Sequence, residues 1–290
     1  MAHLSRIWTL ACATFTQLLR MRIMAFLAVF CVIVVAAGLG FAIINPEQQL
    51  KLLKDVAFGA LQVFSVVMGI CATALLLPRD LEDRTLYTVL AKPVPRLNYL
   101  LGKLLGVLMT IAVGMLVLDL ALSLMLYLRQ NLVFAQAVAA LKAEGQDSPQ
   151  AVAQLQAMVA QQGLGWNLQA GVLVIFLKSS VITAMTLMIS CMASSTLFTM
   201  VIGFLATLCG HGQELIRETF LSGQGVALRQ VWKTLLAVIT PDLTLFDVTD
   251  AVINGQSLGM PALLGIAGMS LLYVLGYAMA SHLLFVEKEL

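Results

Sequence analysis

The stretch LLGVLMTIAVGMLVLDLALSLMLYL, Leu104 to Leu128, contains a single charge, Asp119. A helix needs roughly 20 apolar residues to cross the hydrocarbon core of a bilayer, and this stretch supplies them. The rest of the chain repeats the pattern. Apolar blocks run over 23–44 (ended by Asn45-Pro46), 56–77, 168–192 (interrupted only by Lys178), 196–211 and 261–285. The composition agrees. Of 290 residues, 60% are hydrophobic and 11% charged, against about 25% charged in soluble domains, and the mean hydropathy is +0.95. The expected fold is an all-α integral membrane protein, a single transmembrane domain over 1–290 with six transmembrane helices. The first block exceeds the roughly 7–15 apolar residues of a cleaved signal peptide, so it reads as a retained span. The fifth is short, and Ser194, Ser195 and Thr196 before it read as a tight turn with a helix N-cap.

The segments between the spans are patterned too. Residues 3–22 read as an amphipathic helix lying in the membrane interface. Ile7, Leu10, Ala11, Phe15, Leu18 and Leu19 recur at helical spacing, with Arg6, Thr9, Gln17 and Arg20 largely between them. Leu132 to Gln162 reads as two short helices, split where Ser148 caps and Pro149 starts the second. Ile216 to Gln256 reads as another pair of short amphipathic segments, giving short external helices before the last span.

Lysine and arginine set the orientation. Arg6, Arg20 and Arg22 precede the first span, Arg79, Arg84, Lys92, Arg96 and Lys103 fill the loop after the second, and Lys288 follows the last. The opposite side carries Lys51, Lys54, Arg129, Lys142, Arg217, Arg229 and Lys233, spread over longer loops. The expectation is a multi-pass protein of the cell's inner (cytoplasmic) membrane with both termini in the cytoplasm, 78–103 a cytoplasmic loop, and 129–167 and 212–260 extracytoplasmic.

That cytoplasmic loop has its own grammar. Asp80, Glu82 and Asp83 would sit in the first turn of a short helix, where acids favour the dipole. Lys92 would lie in its last turn and Pro93 would stop it, after which Pro95 suits a new helix running through Arg96 into the third span. Leu86, Val89 and Leu90 form the apolar side, suited to a groove on a soluble partner. An ordinary solvated loop fits the same residues.

The run Glu82-Asp-Arg-Thr-Leu86, then Leu90-Ala-Lys-Pro-Val94, then Arg96-Leu-x-Tyr-Leu-Leu-Gly-Lys103 resembles the permease subunits of type 2 ABC exporters. The likeness covers almost the whole chain, the external insert 131–165 apart. It implies that the loop is a coupling helix docking onto a separate ATP-hydrolysing subunit. Glu82, Asp83, Arg84, Thr85 and Leu86 would contact that partner, with Val89 and Leu90 on the same helix, and Pro93, Arg96, Tyr99 and Lys103 would anchor the loop. It also implies a homodimer or pseudo-symmetric heterodimer of permeases, and ATP and Mg on the partner subunit with no cofactor on this chain.

Within the spans, Asp119 and Lys178 are candidate functional charges, since charge at bilayer depth is costly. Counted from the ends of their blocks, the two fall at similar depths, which allows an ion pair, snorkelling of each, or a substrate or proton site. Gly102 and Gly106 form GxxxG with Gly114 on nearly the same face, a pattern that lets membrane helices approach closely, within the subunit or across a dimer. Gln62, Ser65, Thr73 and Thr110 are too ordinary in spans to mark a substrate site.

Other chemistries find no motif. The chain has no GxxxxGK[ST] phosphate loop, no HExxH and no GxSxG elbow. Cys12, Cys31, Cys71, Cys191 and Cys209 show no CxxC spacing, and His3, His211 and His282 are scattered, so neither a metal site nor an enzyme is expected. The net charge of +2 is too small for a nucleic-acid partner; membrane lipid is the expected surrounding. Two further readings stand beside the exporter permease. A self-sufficient secondary transporter or channel predicts inverted repeats, and the basic loop after the second span has no counterpart after the fifth. A membrane scaffold recruiting a soluble partner fits the same loop.

Overall fold

The computed structural model describes residues 2–21, 29–30, 33, 46–82, 95–143, 148–162, 165–193, 195–213, 240–256 and 258–287. Among them the regular elements are all helical. They are α1 (Ala2–Arg20), α2 (Pro46–Glu82), α3 (Arg96–Ala143), α4 (Pro149–Gln162), α5 (Trp166–Met192), α6 (Thr196–His211), a 3-10 turn at Thr244–Phe246, α7 (Thr249–Ile253) and α8 (Met260–Glu287). Four of them, α2, α3, α5 and α8, are long and apolar enough to cross a membrane. The block 23–44 lies largely outside the described residues, and α6 is an apolar helix of 16 residues.

The helices outrun the charge-free blocks that announced them. α2 begins ten residues before Val56 and carries on through Pro78 to Glu82, so no separate helix starts at Pro78. Charges stop a hydropathy count but not a helix: Lys51 and Lys54 are good helix formers, and Lys54 is buried within the packed outer part of α2. α3 is 48 residues long, roughly 72 Å at 1.5 Å per residue, more than twice the hydrocarbon core. The expected helix from Leu132 is its continuation. The second expected helix does start at Pro149, as α4. The Ser148 hydroxyl accepts from the Ala151 amide at 3.2 Å, capping α4 at the predicted place. Pro95 likewise precedes α3, its carbonyl accepting from the Asn98 amide at 3.0 Å.

Tertiary contacts fix the directions. Phe58 packs on Gly171, and Gly69 faces Ser179 and Thr183, so α2 and α5 run in parallel. Ser270 lies against Ser180 and Leu177, while Phe285 shares a cluster with Cys191, so α8 runs the same way. Tyr99 and Leu104 pack in that cluster with Leu187 and Cys191, and Asp119 reaches Gln169, so α3 runs opposite. Gly203 faces both Thr186 and Ile70, so α6 doubles back on α5 as a helical hairpin. One end of the bundle therefore gathers the end of α2, the start of α3, the α5–α6 turn and the end of α8; it is called the loop end below.

α5 is the centre: 72% of its most apolar window is buried, against 22% for α8, which exposes Leu264, Leu271, Leu272 and Met279. The buried hydroxyls of α5 are spent on its own backbone. Ser179, Thr183, Thr186 and Ser190 each donate to a carbonyl three or four residues earlier, at 2.7–2.9 Å, so they act as small packing residues rather than as a polar path.

Candidate functional site

The loop end is where the sequence placed a partner surface, and its described part is tightly built. Arg96, in the first turn of α3, donates from Nη1 to the carbonyl oxygens of Phe285 and Val286, each at 3.1 Å. Those carbonyls belong to the last turn of α8; carbonyls in a helix's last turn lack intrahelical N–H donors and carry partial negative charge. The guanidinium carbon also sits 5.9 Å from the centre of the Phe285 ring. Phe285 is fully buried and stacks on Tyr99 at 6.2 Å with an 18° interplanar angle. Lys103 stands over the other member of the stack, its Nζ 5.7 Å from the Tyr99 ring centre. Two cations thus bracket two stacked rings, a cation–π arrangement strengthened by burial.

Arg96, Tyr99 and Lys103 are therefore brought together, one helical turn apart on one face of α3, and what they grip is the end of α8. No local signal in the sequence named Phe285, nearly two hundred residues away. Asp83, Arg84, Thr85, Leu86, Val89, Leu90 and Pro93 lie outside the described residues. Glu82 closes α2.

The glycines have an equally definite partner. A methyl group placed on Gly102 would lie 2.6 Å from Cβ of Leu10, and one on Gly106 would lie 2.5 Å from Cβ of Thr14 and 2.8 Å from the Ala11 carbonyl oxygen. GxxxG on α3 is thus the seat of α1, within the subunit. Leu10 meets residue 102 and Thr14 meets residue 106, so the two helices keep in step over a turn and run side by side in the same direction. A helix lying across the end of a span, as expected for 3–22, would touch at one point only. Thr14, read as part of neither face, is buried here, while Leu4 and Trp8 are exposed. Gly114 is buried further along α3.

The two intramembrane charges are not partners. Asp119 Oδ1 accepts from the Gln169 side-chain amide at 3.4 Å. Lys178 lies nine residues further along α5, about 13 Å by helix rise, and the carboxylate acting on it is Asp247, in the segment before α7. The depth argument failed because it counted α3 from Leu104, whereas α3 is already packed at Tyr99 against the end of α5; the register shifts by more than a turn. Lys178 is 2% exposed and Asp119 9%, so both side chains are enclosed within the bundle.

Among the described residues, Cys12, Cys71, Cys191 and Cys209 are free thiols, and no group of His, Cys, Asp or Glu is placed to hold a metal ion. In comparison with known proteins, no family model and no curated protein matches the chain.

Proposed function

We propose that the chain is the membrane-spanning permease subunit of a type 2 ABC exporter. It would have six spans with both termini in the cytoplasm, pair with a second permease, and draw on ATP and Mg bound by a separate cytoplasmic subunit. The observation that carries this reading is the motif of 82–103 set between two long apolar helices of opposite direction. Support comes from the surroundings of that loop. Its exit is tied through Arg96 and Tyr99 to the end of α8, and α3 is tied through Gly102 and Gly106 to α1. A push on the loop would then reach α2, α3, α8 and α1 together, which is what coupling to a nucleotide-driven partner requires.

The test is copurification of the full chain from its own cells, with mass spectrometry of what comes with it. An ATP-binding-cassette ATPase should accompany the natural protein and be lost with Leu86→Asp and Leu90→Asp. An ATPase that binds both forms equally well, or none with the natural protein, would sink the assignment.

A further inference from the structure

A cavity of about 390 Å³ opens between α2 and α6, within the roughly 300–1,000 Å³ of small-molecule sites. Its polarity is graded. α2 and α6 are antiparallel with Gly203 against Ile70; eight residues on from Gly203 is His211, and eight back from Ile70 is Gln62. Both line the cavity, so they stand at the same level at its end away from the loop end, while Val66, Val67 and Phe204 wall the part nearer the bundle's middle. Among the described residues, no Asp, Glu, Lys or Arg lines it.

The two polar groups have capacity to spare. His211 Nδ1 is 2.9 Å from the Thr207 carbonyl; a carbonyl only accepts, so Nδ1 carries the proton and Nε2 of the neutral ring is an acceptor. The Gln62 side-chain amide makes no hydrogen bond among the described residues, its backbone carbonyl alone being engaged, by Ser65. An unspent amide on a membrane-spanning helix is costly unless something pairs with it. Gly59 completes the site: a methyl group there would meet nothing within 4 Å, so this glycine leaves room instead of admitting a neighbouring helix.

We infer that the α2–α6 cavity binds an uncharged amphiphile whose head bears a hydroxyl. The hydroxyl donates to His211 Nε2 and accepts from the Gln62 amide, and the apolar body lies along Val66, Val67 and Phe204. The uncharged lining disfavours a carboxylate or ammonium head, whose burial would go uncompensated. The inference needs no ATPase partner and stands or falls apart from the exporter reading.

The experiment uses the full chain in phosphatidylcholine nanodiscs and a monoacylglycerol carrying a diazirine in its acyl chain, with labelled peptides mapped by mass spectrometry. Label should concentrate on peptides covering 59–67 and 204–211 over those of α8 and be competed by unlabelled monoacylglycerol. Gly59→Phe should remove it. Gln62→Leu should weaken competition about fivefold, the worth of one neutral hydrogen bond, and the corresponding diazirine fatty acid should label less. Gln62→Leu makes the helix more apolar and keeps the test open if Gly59→Phe fails to fold. Label spread evenly over α8 and the cavity would mean bulk lipid only. Label indifferent to both variants would place it elsewhere. A disulfide between two copies through Val63→Cys, with label excluded, would mean that a second chain fills the groove. Each of these three results overturns the inference.

Discussion

Arg96 at the start of α3 holds the carbonyls of Phe285 and Val286 at the end of α8, so a residue at the mouth of the loop caps the last helix. Hydrogen bonds to a charged group contribute about 1.5–3 kcal/mol. Arg96→Ala is expected to destabilise the detergent-solubilised protein by about that amount and to free the end of α8 first. Arg96→Lys should recover less than half, since an ammonium lacks the planar fork and its stacking on Phe285. Thermal unfolding and hydrogen exchange at 280–287 measure both; an unchanged exchange rate in Arg96→Ala would remove the cap from the account.

Gly106 predicts a conditional effect. Gly106→Val forces side-chain atoms into Thr14 and the Ala11 carbonyl, and overpacking of this kind costs about 1–3 kcal/mol. The loss should vanish in a chain lacking residues 2–20, because the nearest atoms the added side chain meets all belong to α1. A loss that persists without α1 would mean that Gly106 serves another helix or a second subunit.

Asp119 and Gln169 should be coupled, and Asp119 and Lys178 should not. A double-mutant cycle with Asp119→Asn and Gln169→Leu is expected to give an interaction of about 0.5–3 kcal/mol, as for residues in contact, and the cycle with Lys178→Met to give close to additive values. The double charge swap of Asp119 and Lys178 should fail to rescue the single reversals. Rescue would restore the ion pair the structure argues against.

Lys178 and Asp247 should behave asymmetrically. Lys178 is buried and Asp247 is on an exposed segment. Removing the acid takes away a charge that favours the buried cation, whereas removing the lysine leaves an acid that water can solvate. Asp247→Asn is therefore expected to destabilise more than Lys178→Met. Equal losses in chemical denaturation would show that Asp247 is not what compensates Lys178.

How much of this was legible beforehand follows from the kind of information involved. The existence of α2, α3, α5, α6 and α8, the Ser148 cap and the start of α3 after Pro95 are local facts: an apolar run long enough to span, a hydroxyl before a proline, a proline at a helix entrance. Helix lengths were underestimated because hydropathy counts stop at the first charge, while a helix with a buried face continues past Lys54 and past Leu128. The Asp119–Lys178 pairing was misjudged for the same reason, since register depends on where packing begins and not on where charges end.

The remaining features depend on neighbours far away in the chain. GxxxG announced a close approach, yet only the packed structure seats α1 there. Arg96, Tyr99 and Lys103 were singled out, yet Phe285 became their partner through the antiparallel register of α3 and α8. Gln62 and His211 looked unremarkable one at a time. By itself the sequence determined that the chain carries helices long and apolar enough to cross a membrane, because an apolar block longer than a bilayer is thick has few other ways to satisfy its backbone. Which faces meet was decided only by the tertiary structure, because in such helices nearly every face is apolar and the choice rests on shape: a glycine admitting Thr14, a glycine leaving a cavity open, an arginine reaching the carbonyls of another helix's last turn.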